Sequence, residues 1–226
     1  MLKQIVFLGP PGVGKGTYAR RVAPKLGFKH VSPGDILREL SATDPQVRQC
    51  LDSGKLLPES LVFELIQKQI DQCANTFKGV ILDGFPRSKQ QAASWIERTS
   101  SRIPDLVVEF HLPETLLVEK LIGRRVCISC GDLYNLFSIT EGDFVMPAML
   151  PKQTGLCDKC GGSLIQRSDD KIDVIRQRLQ HHRDEEKALI EFISQHAVRV
   201  DRFHVKTGIT QLDELMSLLQ LRLSSP

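Results

Sequence analysis

Two groups of residues have types and spacings that can do chemistry. The run Gly9 to Thr17 reads GPPGVGKGT, and four cysteines form two Cys-x-x-Cys pairs, Cys127/Cys130 and Cys157/Cys160. The first group implies phosphate chemistry. Gly9, Gly12, Gly14 and Gly16 let backbone N–H groups curl around phosphate oxygens without interference from a Cβ. Lys15 reaches the β- and γ-phosphates as a point charge. The run departs from the usual phosphate-loop pattern by one position: Gly16 stands where a magnesium-ligating hydroxyl belongs, and Thr17 follows it. The second group implies metal chemistry. Two knuckles, each followed by glycine, predict a tetrahedral zinc site of four cysteine ligands.

The elements around these groups must place them. Ile5 to Leu8 is a short apolar run of the kind a buried parallel strand shows, and it feeds the glycine loop. A helix follows to about Leu26, so its N-terminus adds partial positive charge at the loop. Gly79 to Leu82, Leu106 to His111 and Val198 to Val200 read as further strands. Helical patterns lie near Leu61–Cys73, Lys89–Thr99, Glu114–Arg125, Ile172–His196 and Thr210–Leu221. This alternation predicts an α/β fold, a doubly wound parallel sheet with helices on both faces. Two stretches interrupt it. Ser32 to Ser60 is punctuated by Pro33, Pro45, Gly54 and Pro58, and Val126 to Ile165 carries the paired cysteines; both read as excursions from the core.

Composition narrows the classes. With 226 residues the chain is long enough for one full α/β domain with insertions. Hydrophobic content of 41% and charged content of 25% are ordinary for globular proteins. A net charge of +3 without a basic run gives no reason to expect a nucleic-acid partner. No apolar run approaches the roughly 20 residues of a membrane span, and no signal or transit peptide is visible. The expected compartment is the cytoplasm, or an organellar matrix if a presequence was removed. Cys50 and Cys73 stand alone and read as packed thiols.

GPPGVGKGT, Ser32-Pro-Gly-Asp-Ile-Leu-Arg38, Asp83-Gly-Phe-Pro-Arg87 with Gln91, Gly-Arg124-Arg125, Arg167-Ser-Asp-Asp170 and Arg176-x-Arg178 occur in one order along nearly the whole chain. In this they resemble the adenylate kinase family. The family's phosphate loop reads Gly-Lys-Gly-Thr, so Gly16 is normal for it. The resemblance implies a P-loop core of 1–31, 62–125 and 166–226, an NMP-binding insertion of 32–61 and a zinc-binding lid of 126–165. It implies reversible, magnesium-dependent transfer of the terminal phosphoryl group of ATP to AMP, giving two ADP, by a monomer. Lys15, Arg87, Arg124, Arg167 and Arg178 would be catalytic. Gly12, Val13, Gly14, Lys15, Gly16, Thr17, Lys120, Arg124 and Gly208 would bind ATP. Pro33, Arg38, Leu57, Gly84, Arg87 and Gln91 would bind AMP. Magnesium would be held by phosphates and by waters oriented by Asp83 and Asp35.

The chemistry of a phosphate acceptor supports the same residue set. A phosphate monoester has a second pKa of about 6 and is largely a dianion at neutral pH, so no side chain need deprotonate it. Catalysis reduces to positioning, charge neutralisation and exclusion of water, and bidentate guanidinium groups suit phosphate oxygens. The six histidines show no motif, and His181 and His182 are expected on a solvated helix face. Two departures from the family pattern bear on specificity. Lys120 stands where the family often has arginine, and Pro33 where adenylate kinases usually have threonine. Gln91 matches a glutamine that reads the adenine edge, and Gly54 to Pro58 matches the segment lining the AMP pocket. AMP is the expected acceptor, with UMP, CMP or GMP the alternatives.

The cysteine pairs are separated by 26 residues, more than the about 15–20 of the compact pattern; the extra segment around Leu136 to Lys152 receives no assignment. The pairs lie between Arg124 and Arg167, so the ribbon is placed as a lid with a structural metal. A zinc-ribbon interaction module with a vestigial kinase core would need a basic, aromatic surface, yet Tyr134, Phe137 and Phe144 are the ribbon's only aromatics. A P-loop GTPase would need Asn-Lys-x-Asp, and neither Asn75 nor Asn135 precedes a lysine.

Overall fold

The computed structural model describes residues 2–53, 57–73, 75–99, 103–196 and 198–224. Gly54, Lys55 and Leu56, part of the expected AMP-pocket segment, lie outside the described residues. Five parallel strands form the central sheet in the order β10-β4-β1-β3-β2, from β1 (Lys3–Leu8), β2 (Phe28–Val31), β3 (Gly79–Asp83), β4 (Leu106–His111) and β10 (Val200–His204). The inner strands β1, β3 and β4 are apolar along nearly their whole length because both faces are covered.

Side-chain alternation divides the interior between those faces. On one face Ile5, Phe7, Ile81, Val108 and Phe110 pack with α1 (Lys15–Leu26), α6 (Glu114–Gly123) and α8 (Leu212–Ser224). On the other, Val6, Leu8, Val80, Leu82 and Val107 pack with α4 (Glu59–Cys73) and α5 (Lys89–Arg98). The long helix α7 (Ile172–Gln195) serves both, offering Ile175 and Leu179 to the first and Leu189 and Ile193 to the second. The fold is the predicted doubly wound sheet. Between β2 and α4 run two short helices, α2 (Pro33–Leu40) and α3 (Pro45–Asp52). Among the described residues no helix is long and apolar enough to cross a membrane.

The sequence reading differs from the structure at the sheet's edges. β2 carries no prediction, and the last strand begins at Val200 rather than Val198 and continues to His204. Both are edge strands with exposed polar side chains, so neither shows the apolar run that marks a central strand. The sixth helix ends at Gly123, two residues before its expected limit, and Arg124 is already extended.

The following segment forms a three-stranded antiparallel sheet, β6-β5-β9, from β5 (Arg124–Cys127), β6 (Leu133–Asn135) and β9 (Leu164–Ile165). A separate hairpin of β7 (Ile139–Glu141) and β8 (Phe144–Met146) stands beside it.

Phe110 is fully buried between Phe7, Tyr18 and Phe203. Phe110→Ala should therefore destabilise the fold by about 3–5 kcal/mol, the range for an aromatic deleted from a packed core, read as a lower urea midpoint at unchanged slope.

Candidate active site

The C-terminal ends of β1 and β3 open into a cleft of about 320 Å³, the position where open parallel sheets bind ligands. β1 delivers the glycine loop, whose Gly14 begins α1 in a left-handed conformation. Lys15 curls back so that Nζ donates to Gly9 O at 2.6 Å and Pro10 O at 2.9 Å. β3 delivers Asp83, and His30 Nε2 of the neighbouring edge strand lies 3.2 Å from Asp83 Oδ2.

That carboxylate explains the displaced threonine. A Cβ at Gly16 would stand 2.9 Å from Asp83 Oδ2, so a serine or threonine there would collide with the acidic group. Gly12 is needed for a second reason: its Cβ would meet Leu121 Cγ at 2.8 Å, because the loop rests on the last turns of α6.

The structure gathers Lys15, Arg38, Arg87, Lys120, Arg124, Arg167 and Arg178 around this cleft, with Gly12, Gly14, Gly16, Thr17, Gly84 and Gly208 in its wall. Asp35 and Asp83 line it as well. Other expected site residues lie behind the surface. Val13 is buried, and Leu57 is half-buried away from the cleft wall. Pro33 is buried at the first turn of α2, where its missing N–H costs the helix nothing. Gln91 is buried near the start of α5, and its Oε1 accepts from the Arg87 N–H at 2.8 Å.

Each arginine but one has an aspartate. Arg124 Nε donates to Asp170 Oδ2 at 2.8 Å, and its Nη2 to Asp170 Oδ1. Arg178 Nη1 donates to Asp169 at 2.7 Å. Arg38 donates to Asp35 at 2.8 Å; Arg20 also donates to Asp35, and Arg167 lies 3.6 Å from it. Arg87 instead donates to Gly84 O at 2.9 Å. Asp169 and Asp170 appear in the sequence only as part of a motif, and Arg20 and His30 not at all. Their partners lie on other elements, so no local spacing marks them. His182 also differs from expectation: it is half-buried, with Nε2 3.1 Å from Glu186, while His181 is exposed.

These charges move one another's protonation. Burial pushes Lys15 down to about 8, with Arg87, Arg178 and Arg124 adding to the fall and Asp83 opposing it. Burial pushes Asp83 up, but the hydrogen bond and charge of His30, then Lys15 and Arg87, outweigh it and bring the carboxyl to about 2. Burial likewise lowers Arg178 to about 10. Phosphate oxygens are the ligand that relieves such a site.

The cysteines form a second cluster. Their four Sγ atoms lie within 4.8 Å of one another, with Cys127···Cys160 at 3.4 Å and Cys130···Cys157 at 3.6 Å. Sulfurs about 3.8 Å apart are what Zn–S bonds of about 2.3 Å require in a tetrahedron, so the residues fit zinc. Gly131 and Gly161 adopt φ +70° and +73°, and each donates its N–H to the first cysteine of its knuckle. That turn is why a glycine follows each pair. The Tyr134 hydroxyl donates to Cys157 Sγ at 3.5 Å and draws that thiol down to about 6, prepared for metal as thiolate.

Asp83 supplies a pH test. Its folded carboxyl titrates near 2, below the ordinary 3.8, so its contribution is complete above about pH 4 and is lost as pH falls toward 2. The difference amounts to about 2 kcal/mol. Urea unfolding between pH 4 and pH 2 should show wild type losing about 2 kcal/mol more than Asp83→Asn; parallel losses would contradict the pairing.

Comparison with known proteins agrees with this geometry. The adenylate kinase family model matches residues 7–198. A protein named adenylate kinase from Thermotoga neapolitana is 35% identical over 211 residues, covering 89% of this chain and 90% of that protein. One from Kosmotoga olearia is 38% identical over 198 residues, covering 85% and 87%. A protein named GTP:AMP phosphotransferase from Plasmodium falciparum is 35% identical over 223 residues, covering 96% and 95%. With the phosphate loop, the arginine cleft and this coverage in agreement, the chain belongs to the adenylate kinase family.

Proposed function

We propose that this chain is a phosphotransferase that moves the terminal phosphoryl group of ATP to AMP, reversibly, as an adenylate kinase. The observation that carries the reading is the convergence of Lys15, Arg38, Arg87, Arg124, Arg167 and Arg178 on one cleft beside Asp83. A dianionic acceptor needs no base, and the cleft supplies charge and position instead. The donor lies along the glycine loop with Lys15 on its phosphates, its base toward Lys120 and Gly208. Val13 and Thr17 support that loop. Arg38 and Arg87 hold the acceptor phosphate, backed by Gly84, Leu57 and the Pro33 turn, and Gln91 reads the adenine edge. Arg124, Arg167 and Arg178 surround the phosphoryl group in flight. Each phosphate that enters displaces an aspartate from its arginine.

Magnesium, when bound with the nucleotide, neutralises phosphate charge. Asp83, held ionised beside Gly16, has the hard oxygen donors that orient its waters. Asp35 is the second carboxylate, available once phosphates take its arginines. Residues 32–61 and 126–165 are the parts that close over the core of 1–31, 62–125 and 166–226, excluding water so that ATP is not hydrolysed. Cys127, Cys130, Cys157 and Cys160 hold one structural zinc in the second of these; four thiolates leave no open position for chemistry. The working unit is a monomer in the cytoplasm or an organellar matrix, and a cysteine set spaced for metal rather than for a secreted disulfide framework supports that compartment.

ADP formation across AMP, CMP, UMP and GMP, with ATP and GTP as donors, tests the function directly. AMP with ATP should be the best pair; absence of turnover with every pair would overturn the reading. Lys15→Ala and Arg87→Ala should each lose on the order of 100-fold or more in turnover, as for preorganised charge contacts generally, and Gln91→Ala should weaken AMP more than the other monophosphates.

Zinc is tested separately. Elemental analysis should return one zinc per chain, and Cys157→Ser should lower the melting temperature while sparing part of the turnover. A metal-free protein of unchanged stability, or a strict zinc requirement for turnover in intact protein, would each contradict a structural role.

A further inference from the structure

The segment between the cysteine pairs that the sequence leaves unassigned has a defined place. Asn135 and Met149 exchange both backbone hydrogen bonds, at 3.1 and 2.8 Å, and the β7–β8 hairpin projects from between them. The hairpin does not pack on the cysteine ribbon, whose buried cluster is Cys127, Tyr134 and Cys157. Instead Ile139 and Met146 join the main core cluster, the one that holds Tyr18 and Phe203, at 4% and 5% exposure. The Val145 N–H donates to Lys206 O at 2.9 Å, and Lys206 Nζ lies 3.6 Å from Asp143. The hairpin is thus docked on the loop between β10 and α8.

That docking inserts Met146 between two residues of the cleft. On one side its Cγ stands 3.2 Å from where a Cβ on Gly208 would be. On the other, Lys120 Nζ reaches Met146 Sδ at 3.5 Å. Among the described residues no carboxylate lies within ion-pair distance of Lys120, and burial alone lowers it to about 8. A thioether is a weak acceptor for an ammonium with three donors. A purine offers ring nitrogen and, in guanine, carbonyl oxygen as stronger ones, together with an aromatic face for the apolar contact that Met146 makes. A planar base and the methionine side chain that already contacts both Lys120 and Gly208 cannot occupy the same gap.

We infer that Met146 sets the affinity of the donor site: it fills the gap between Lys120 and Gly208, and the base of the nucleoside triphosphate binds by displacing it. The inference rests on the donor position proposed above for Lys120 and Gly208. The hairpin is accordingly a competitor for the donor base, and the apparent donor affinity is reduced by the fraction of molecules whose gap is filled. The acceptor site, on the far side of the phosphates, is untouched by this competition.

Two variants test it by steady-state kinetics and by calorimetric titration of ATP without AMP. Met146→Ala empties the gap. Val145→Pro removes the single N–H that docks the hairpin on Lys206, and because that N–H points away from β7 the hairpin's own ladder is kept. Both should lower the KM and Kd for ATP, roughly tenfold if about nine molecules in ten are filled at rest, with the KM for AMP unmoved. Met146→Leu, which refills the gap, should restore the wild-type value. An unchanged or raised donor KM in Met146→Ala overturns the inference, the second meaning that Met146 is a wall on which the base packs. If Met146→Ala does not fold, Val145→Pro decides by the same signs. Wild-type turnover with an unmoved donor KM defeats this inference alone, whereas a wild type without turnover defeats the proposed function.

Discussion

A cleft that gathers Lys15, Arg38, Arg87, Arg124, Arg167 and Arg178 is under strong mutual repulsion, and the rest of the structure answers it. Cations this close would disperse if the chain were free to let them. They are held because they come from separate parts of the chain, Lys15, Arg38, Arg124 and Arg178 from α1, α2, β5 and α7 and Arg87 and Arg167 from the segments that follow β3 and β9, and because Asp35, Asp83, Asp169 and Asp170 stand among them. The anchoring is costly: burial drives Lys15 to about 8 and Arg178 to about 10, and Asp83 answers by remaining ionised down to about 2. Such a site is preorganised for phosphate, since the donors need not be assembled when charge arrives. The aspartates keep the arginines aligned.

This constraint also shapes the backbone. Asp83 presses against the phosphate loop so closely that only glycine fits at position 16. Where many phosphate loops place a metal-directed hydroxyl on the loop itself, this chain has a carboxylate arriving from the neighbouring strand β3. The edge strand β2 then contributes His30 to hold that carboxylate. A local departure from a common motif is therefore the visible end of a contact between residues far apart in the chain.

The segment between Arg124 and Arg167 is divided between two supports. The ribbon's buried cluster is small, with Cys127, Tyr134 and Cys157 at its centre. Binding of a structural zinc contributes about 10–16 kcal/mol in zinc-finger peptides, which is ample for a segment with so little apolar interior. The hairpin, by contrast, draws on the main core through Ile139 and Met146. The two ends of the segment are thus held by their own shared cluster and its middle by the main core, which ties the hairpin's position to the Lys120 and Gly208 side of the cleft.

What the sequence determined by itself is whatever short-range physics encodes. The glycine loop was legible because its residues are contiguous and lie between an apolar strand and a helix. The cysteine quartet was legible because each knuckle is complete within five residues, glycine included. The inner strands declared themselves as apolar runs, since both their faces are covered. What only the tertiary structure decided involves partners distant in sequence: His30 with Asp83, Arg20 with Asp35, Arg124 with Asp170. The edge strands β2 and β10 belong here too, because half of each faces water and their pairing is specified by neighbours rather than by their own residues. The hairpin is the clearest case. Its hydrophobic side chains are sparse in sequence, and nothing local says which surface they cover; that depends on the loop between β10 and α8, which the chain reaches about sixty residues later.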